Sequence, residues 1–205
     1  MRFPNWQSLC RSALVVLPLV LAGCVSPGRR LEPSAVQTLR EGQTRAEVHK
    51  TFGKPRNTVR GAQQRILDEY WWGIKKPRLV LFSKHDGDLV LRHLAVLYTT
   101  NQVVAKFQFH EGAMPYDEKF ASVAAGKEVA PEQLDRIQEG TTREKELLDW
   151  FGPPFVIGLA TDGNTTLTWG FLKFGAFRRP IAQELIVTLN AERVVTKFIV
   201  ADRRF

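Results

Sequence analysis

The sequence has little cysteine and no long apolar run of the kind that spans a membrane. Its 205 residues include two cysteines, Cys10 and Cys24, both near the N-terminus. Two thiols exclude a disulfide-rich scaffold and a four-cysteine metal site. The apolar run near the N-terminus covers residues 13–21, whereas a membrane-spanning helix needs roughly 20 residues. We therefore expect no permanent transmembrane anchor and a fold that depends on an ordinary hydrophobic core.

The sequence also lacks the common motifs of enzymes. The four histidines, His49, His85, His93 and His110, are scattered, with no cysteine or carboxylate partner at metal-ligand spacing. No Gly-x-Ser-x-Gly elbow, Walker loop or Gly-x-Gly-x-x-Gly follows a predicted strand. We therefore predict that the protein is not an enzyme and that it holds no metal and no dissociable cofactor.

The first residues are typical of a lipoprotein signal peptide. Arg2 and Arg11 give a basic start, and the apolar run continues into Leu21-Ala22-Gly23-Cys24. These four residues resemble the lipobox of bacterial lipoproteins, in which cleavage before the cysteine leaves it as the acylated N-terminus. We expect residues 1–23 to be removed, Cys24 to carry covalent lipid such as palmitate, and residues 24–32 to form a tether.

For a lipid-anchored protein, the basic charge indicates contact with lipid headgroups and not with nucleic acid. The chain has 29 Lys and Arg against 21 Asp and Glu, a net charge of +8 and a pI near 9.8. Residue 25 is Val and not Asp, which by resemblance to enterobacterial lipoproteins predicts the periplasmic face of the outer membrane. Nucleic acid is not the expected ligand there. The candidates for contact with anionic lipid headgroups are Arg29, Arg30, Arg178 and Arg179, each contributing about 1 kcal/mol close to such a surface.

The rest of the sequence contains two similar copies of one unit. Four motifs recur in the same order: Glu-Gly-x-Thr-Arg at 41–45 and 139–143, Phe-Gly-x-Pro at 52–55 and 151–154, Trp-Gly at 72–73 and 169–170, and Val-Val-x-Lys-Phe at 103–107 and 194–198. A period this long, present only twice, predicts duplicated domains. We place them at 33–109 and 131–201, with a linker at 110–130.

Each copy is predicted to be an α+β domain, a short helix pair packed on an antiparallel sheet of three to four strands. Thr44 and Thr141 each precede a Glu by three residues, the spacing of a helix capping box. The helices that follow should end at the glycine of the Phe-Gly-x-Pro motif. The alternation of apolar residues beyond it predicts strands, with Trp72 and Trp169 in the core between helices and sheet.

The ordered motifs resemble the BamE (SmpA/OmlA) lipoprotein domain, here in tandem over roughly residues 34–109 and 131–200. The two-copy arrangement is also similar to the secreted β-lactamase inhibitory protein, although that protein has disulfides which this mature chain cannot form. The resemblance implies a noncatalytic binding or scaffolding factor in envelope assembly, with another envelope protein, such as the barrel-assembly machinery, as partner. Two alternatives stay open: a periplasmic inhibitor of an enzyme, and a structural protein that contacts lipid or peptidoglycan.

A break in the internal symmetry suggests where a partner binds. Trp71 has no aromatic counterpart in the second copy, and because it precedes Trp72 in a strand it must point to the opposite face. An exposed tryptophan flanked by charges is typical of a binding hot spot, although the linker could equally cover it. The other residues predicted on or beside this face are Leu172, Phe174, Lys106 and Lys197.

Overall fold

The structure, a computed structural model, describes residues 30–77, 85–119, 122–175 and 178–204. The helices are α1 (Pro33–Val36), α2 (Arg45–Phe52), α3 (Pro131–Leu134) and α4 (Glu144–Phe151), with a 3₁₀ turn at Ala62–Gln64. The strands are β1 (Asn57–Arg60), β2 (Ile66–Pro77), β3 (His85–Tyr98), β4 (Val104–Lys119), β5 (Ser122–Gly126), β6 (Val156–Leu159), β7 (Thr165–Gly175), β8 (Arg178–Leu189) and β9 (Val195–Arg204). None of the helices described here is long and apolar enough to cross a membrane.

The strands in the described part of the chain form one curled antiparallel sheet. Its order is β1-β2-β3-β4-β5-β7-β8-β9, and β6 pairs with the first half of β7. The prediction of two separate domains, each a helix pair on its own small sheet, is therefore wrong. The copies share one sheet because β4 runs on to Lys119 and β5 then pairs with both β4 and β7.

Much of the segment expected to be a linker, residues 110–130, belongs to this sheet. Residues 111–116 alternate between exposed and buried, as in a strand with one covered face. Gly112 and Pro115 suggested a linker, but Gly112 has a packing role. A Cβ at Gly112 would lie 2.0 Å from the carbonyl oxygen of Phe155, so only glycine lets the backbone of the second copy approach β4 this closely.

An aromatic pair is repeated in the two copies. The rings of Phe52 and Tyr70 have centroids 5.8 Å apart at 55°, and those of Phe151 and Trp169 are 5.5 Å apart at 54°. Tyr70 is therefore the structural counterpart of Trp169. The alignment of Trp72 with Trp169 is wrong by two residues, and Trp72 lies next to the core of the first copy as a partly buried side chain.

The sequence offset between equivalent residues of the two copies changes within the β2–β3 hairpin. Tyr70 and Trp169 are 99 positions apart, whereas their partners in the neighbouring strands, Leu94 and Leu185, are 91 apart. The first copy thus has eight more residues between these paired positions, which lengthens its hairpin.

The two main helices begin differently. In α2 the Thr44 hydroxyl accepts a hydrogen bond from the Glu47 amide at 3.3 Å, and the Glu47 carboxylate accepts one from the Thr44 amide at 2.7 Å. The predicted capping box is confirmed there. In the second copy the N-cap is Arg143 and not Thr141, and its amide donates to the Glu146 carboxylate at 2.8 Å. The two N-cap residues, Thr44 and Arg143, are 99 positions apart, as are the equivalent residues of the repeated aromatic pair. Thr141 of the repeated motif is therefore not the capping residue.

Helices cover one face of the sheet, and part of the second copy covers the other. The apolar residues under α1 and α2 include Leu94, Val96 and Tyr98, and those under α3 and α4 include Leu167, Trp169, Leu185 and Val187. On the opposite face of β3 and β4, Leu91 and Met114 pack against Phe155 and Val156. We call this contact of β6 and Phe155 with β3 and β4 the junction.

Candidate functional site

Trp71 lies at the junction and is half-buried. It sits opposite His93 in the neighbouring strand, and the two rings stack with centroids 3.9 Å apart at an interplanar angle of 30°. The indole also packs against the apolar cluster that Phe155 and Val156 complete. Trp71 therefore contributes to packing between the copies. The sequence predicts a tryptophan exposed on the sheet face, whereas the structure shows a half-buried one.

A buried imidazole and a carboxylate lie beside Trp71. His93 is 1% exposed. Its Nδ1 lies 3.3 Å from the carbonyl oxygen of Ile157, and its Nε2 lies 3.4 Å from a carboxylate oxygen of Glu69. Asn57 donates to the other carboxylate oxygen at 2.7 Å. The contact of His93 Nε2 with Glu69 does not meet hydrogen-bond geometry, and this buried nitrogen has no hydrogen-bond partner among the described residues.

Burial and neighbouring groups shift the pKa values of Glu69 and His110. Burial opposes ionisation of Glu69, but the interactions with His93 and Asn57 outweigh it and lower the pKa of Glu69. His110 faces His93 across β3 and β4, and burial together with the nearby His93 lowers the pKa of His110. The lowered pKa values favour a carboxylate at Glu69 and a neutral imidazole at His110, next to the contact of β6 with β3.

A second buried polar cluster lies under α2. The Asp68 carboxylate is fully buried and accepts hydrogen bonds from Arg45 at 2.7 and 2.8 Å and from the Thr58 hydroxyl at 2.6 Å. His49 Nε2 lies 2.8 Å from the same carboxylate. Burial opposes ionisation, but the hydrogen bonds from Arg45, Thr58 and His49 lower the pKa of Asp68. Desolvation raises the pKa of the neighbouring Tyr98, so this hydroxyl stays protonated.

Neither cluster offers a recognisable metal centre. Across residues 30–77, 85–119, 122–175 and 178–204, no group of three or more His, Cys, Asp and Glu side chains is placed to hold a metal ion. In the Arg45 cluster the charged groups neutralise one another, and at the junction His93 is covered by Trp71 and β6. Both are suited to fixing β-strands and helices in place.

The other residues predicted to bind a partner do not form one patch with Trp71. Leu172 is 3% exposed and Phe174 is half-buried. Lys106 is exposed, but its ammonium donates to the carbonyl oxygen of Gly163 at 2.8 Å. Lys197 is exposed on β9, at one end of the strand order. By the strand register these residues share one face of the sheet with Trp71, but Leu172 is buried and the Lys106 ammonium is already bonded, so they do not make one exposed patch.

The predicted anchor residues are described only in part. Cys24 and Arg29 lie outside the described residues, and so do the side chains of Arg178 and Arg179. Arg30 is described, and its guanidinium lies 5.3 Å from the centre of the Trp72 ring, where it also pairs with Glu32 at 2.8 Å.

The predicted tether ends in a firm attachment to the sheet. Leu31 is 2% exposed in the first core, and its carbonyl oxygen accepts a hydrogen bond from Arg92 at 2.9 Å. The Arg92 guanidinium lies 5.0 Å from the centre of the Trp72 ring, on which Arg30 also packs. The packed structure thus begins by Leu31, before the predicted domain boundary at residue 33 and only seven positions after Cys24. Sequence reasoning missed this attachment because a single apolar residue in a polar segment is a weak signal.

The second copy presents a more open sheet face than the first. In the first copy, the face turned away from the helices packs against β6. The corresponding face of β8 and β9 carries Thr188, Lys197 and Ile199, and Ile199 is 39% exposed.

Comparison with known proteins gives no family assignment. No protein family, curated protein or solved structure matches the chain.

Proposed function

We propose that this chain is a lipid-anchored, noncatalytic binding protein of the periplasmic face of the outer membrane, similar to BamE-like lipoproteins, that holds another envelope protein. The observation that carries the proposal is the short connection between the lipobox and the folded body. Leu31 is buried and bonded to Arg92, and it follows Cys24 by seven positions. A fully extended segment of that length spans at most about 25 Å.

This short connection has a mechanical consequence. Several acyl chains on one cysteine hold a protein stably on a membrane, since each buried CH₂ contributes about 0.8 kcal/mol. Because Leu31 is buried and bonded to Arg92 in β3, the short segment from Cys24 to Leu31 keeps the sheet close to the lipid surface. Such an arrangement suits a protein that presents a binding surface to other envelope components within a short distance of the membrane.

The open face of the second copy is our candidate surface for the partner. Ile199 and Lys197 combine an exposed apolar side chain with a cation on one face of β9. The equivalent face of the first copy packs against a segment of protein, β6, and this supports a protein partner for the second.

Site-specific photocrosslinking in cells tests the proposal. A photoreactive phenylalanine analogue at Ile199 should capture a membrane-associated envelope protein, whereas the same analogue at Leu148 should not. Leu148 is a matched control because it is also 39% exposed but lies on α4, on the helix side of the sheet. Cys24→Ala should abolish both fatty-acid labelling and the Ile199 crosslink.

The identity of the captured protein separates the alternatives. Barrel-assembly components support the envelope-assembly role, and a stoichiometric soluble enzyme supports the inhibitor. Crosslinks to lipid or peptidoglycan alone support the structural alternative. Fatty-acid labelling that persists in Cys24→Ala contradicts the lipid anchor.

A further inference from the structure

A small apolar pocket lies beside the strands that join the two copies, next to the C-terminal end of α4. Its volume is about 160 Å³, and it is bounded by the second half of β4, residues 126–129, the end of α4 and the middle of β7. Its main apolar lining residues are Met114, Val129, Phe151, Phe155 and Trp169. The walls come from residues 113–115 and 126–129, which lie between the copies, and from the second copy, so the pocket depends on the way in which the duplicated units are joined.

Close backbone contacts keep this pocket open. Gly126 and Gly170 both line it, and a Cβ at Gly126 would lie 1.9 Å from the Gly170 carbonyl oxygen. The indole Nε1 of Trp169 donates to the carbonyl oxygen of Gly152 at 2.9 Å, which fixes that wall. These two contacts fix the backbone on two sides of the pocket.

The size and lining of the pocket restrict the class of ligand. Sites for drug-sized molecules have volumes of about 300 to 1,000 Å³, which excludes nucleotides and larger cofactors. An apolar cavity of about 150 Å³ in another protein binds benzene. Three of the main lining side chains are aromatic and Met114 supplies a thioether, and both groups make favourable contacts with an aromatic ring.

The rim of the pocket carries two polar groups. Lys127 and Glu128 line it and are exposed. Among the contacts of the described residues, neither side chain is engaged in a hydrogen bond or ion pair. We propose that this pocket binds a single aromatic ring of benzene to indole size, from a free small molecule or from an aromatic side chain of a partner, with polar groups next to the ring facing Lys127 and Glu128.

Methyl NMR of methionine tests this proposal directly. The chain has two methionines, Met1 and Met114, so labelling with [methyl-¹³C]methionine gives a reporter in the pocket wall that Met114→Leu assigns. Titration with toluene should move the Met114 methyl resonance upfield to saturation, because ring currents shield groups that lie over a ring. An intermolecular nuclear Overhauser effect between toluene and this methyl group should also appear.

Two alanine substitutions form a matched control pair. Ala113→Leu, at the exposed rim of the pocket, should weaken toluene binding at least tenfold, whereas Ala46→Leu, on the exposed side of α2, should leave the affinity unchanged. A parallel titration with N-acetylphenylalanine amide separates the sources of the ring. Saturation by both probes supports a partner side chain, and saturation by toluene alone supports a free small molecule.

The same experiment can overturn the proposal. Failure of both probes to give a saturable shift of the Met114 methyl resonance in the native chain would exclude an aromatic site. Equal affinity in Ala113→Leu and in the native chain would place any observed binding elsewhere. The nuclear Overhauser effect in the native chain keeps the test valid even if a variant does not fold.

Discussion

Replacement of Arg45 by Met should lower the free energy of unfolding by about 3 kcal/mol. The Asp68 carboxylate is fully buried, and Arg45 supplies two of its hydrogen bonds, at 2.7 and 2.8 Å. Loss of one partner of a buried ion pair typically costs about 3 to 5 kcal/mol. We expect the lower end because Thr58 and His49 still contact the carboxylate and the Arg45 side chain is 20% exposed.

The second copy supplies the control for this variant. At the positions 99 residues beyond His49, Thr58 and Asp68 it has Leu148, Ile157 and Leu167, so the same architecture there does without the charged cluster. Combining Arg45→Met with His49→Leu, Thr58→Ile and Asp68→Leu removes every charge at once. Since a well-packed apolar replacement of a buried ion pair is often neutral, the combined variant should return to within about 1 kcal/mol of the native protein.

Urea unfolding measures both effects, and its pH dependence adds a second readout. The folded-state pKa of Asp68 is lowered, so its contribution is complete above the unfolded value of about 3.9 and is lost as the pH falls through the folded pKa. In Arg45→Met the folded pKa rises, so the remaining contribution should be lost from a higher pH downward. An unfolding free energy of Arg45→Met within about 0.5 kcal/mol of the native value would refute this reasoning, as would a combined variant no more stable than the single one.

Four further substitutions test the packing. Trp169→Ala should lower the free energy of unfolding in urea by about 4 kcal/mol, and Trp72→Ala should lower it by less than half of that. The difference is expected because Trp169 is buried in a core, whereas Trp72 is only partly buried. Equal losses would contradict it. Gly112→Ala should cost about 2 kcal/mol, because the added methyl group meets the Phe155 carbonyl oxygen, and an unchanged urea midpoint would show that the junction is looser. Trp71→Ala should cost about 2 kcal/mol through loss of its stacking on a buried histidine, whereas a freely exposed tryptophan would leave the midpoint unchanged.

Local features of the fold could be predicted from the sequence, and the joining of the copies could not. The capping box at Thr44 is a signal within four residues, and the structure confirms it. The pairing of β5 with β4 and β7 joins strands that carry no shared local motif. The glycine and proline in β4 are normally signs of a connection, and the close contact that requires Gly112 is visible only in three dimensions.

The candidate sites show the same limit. The repeated Trp-Gly motif aligned Trp72 with Trp169, whereas the structure shows that Tyr70 occupies the position in the first copy that Trp169 occupies in the second. Strand alternation predicts that Trp71 and Trp72 point to opposite faces. The residues near Phe155 that pack against Trp71 lie more than 80 positions away in the sequence, so its burial could not be predicted. The polar cluster of Asp68 was missed because each of its members, taken alone, is typical of an exposed helix or strand position.

Acylation of Cys24 is the point on which the proposed function depends most. Mass spectrometry of the N-terminal peptide from membrane-extracted protein tests it most directly. We expect a peptide that begins at Cys24 and carries acyl chains attached through its sulfur and its amino group. A peptide that retains the residues before Cys24, or an unmodified Cys24 thiol in protein that fractionates with the soluble periplasm, would contradict the lipid anchor.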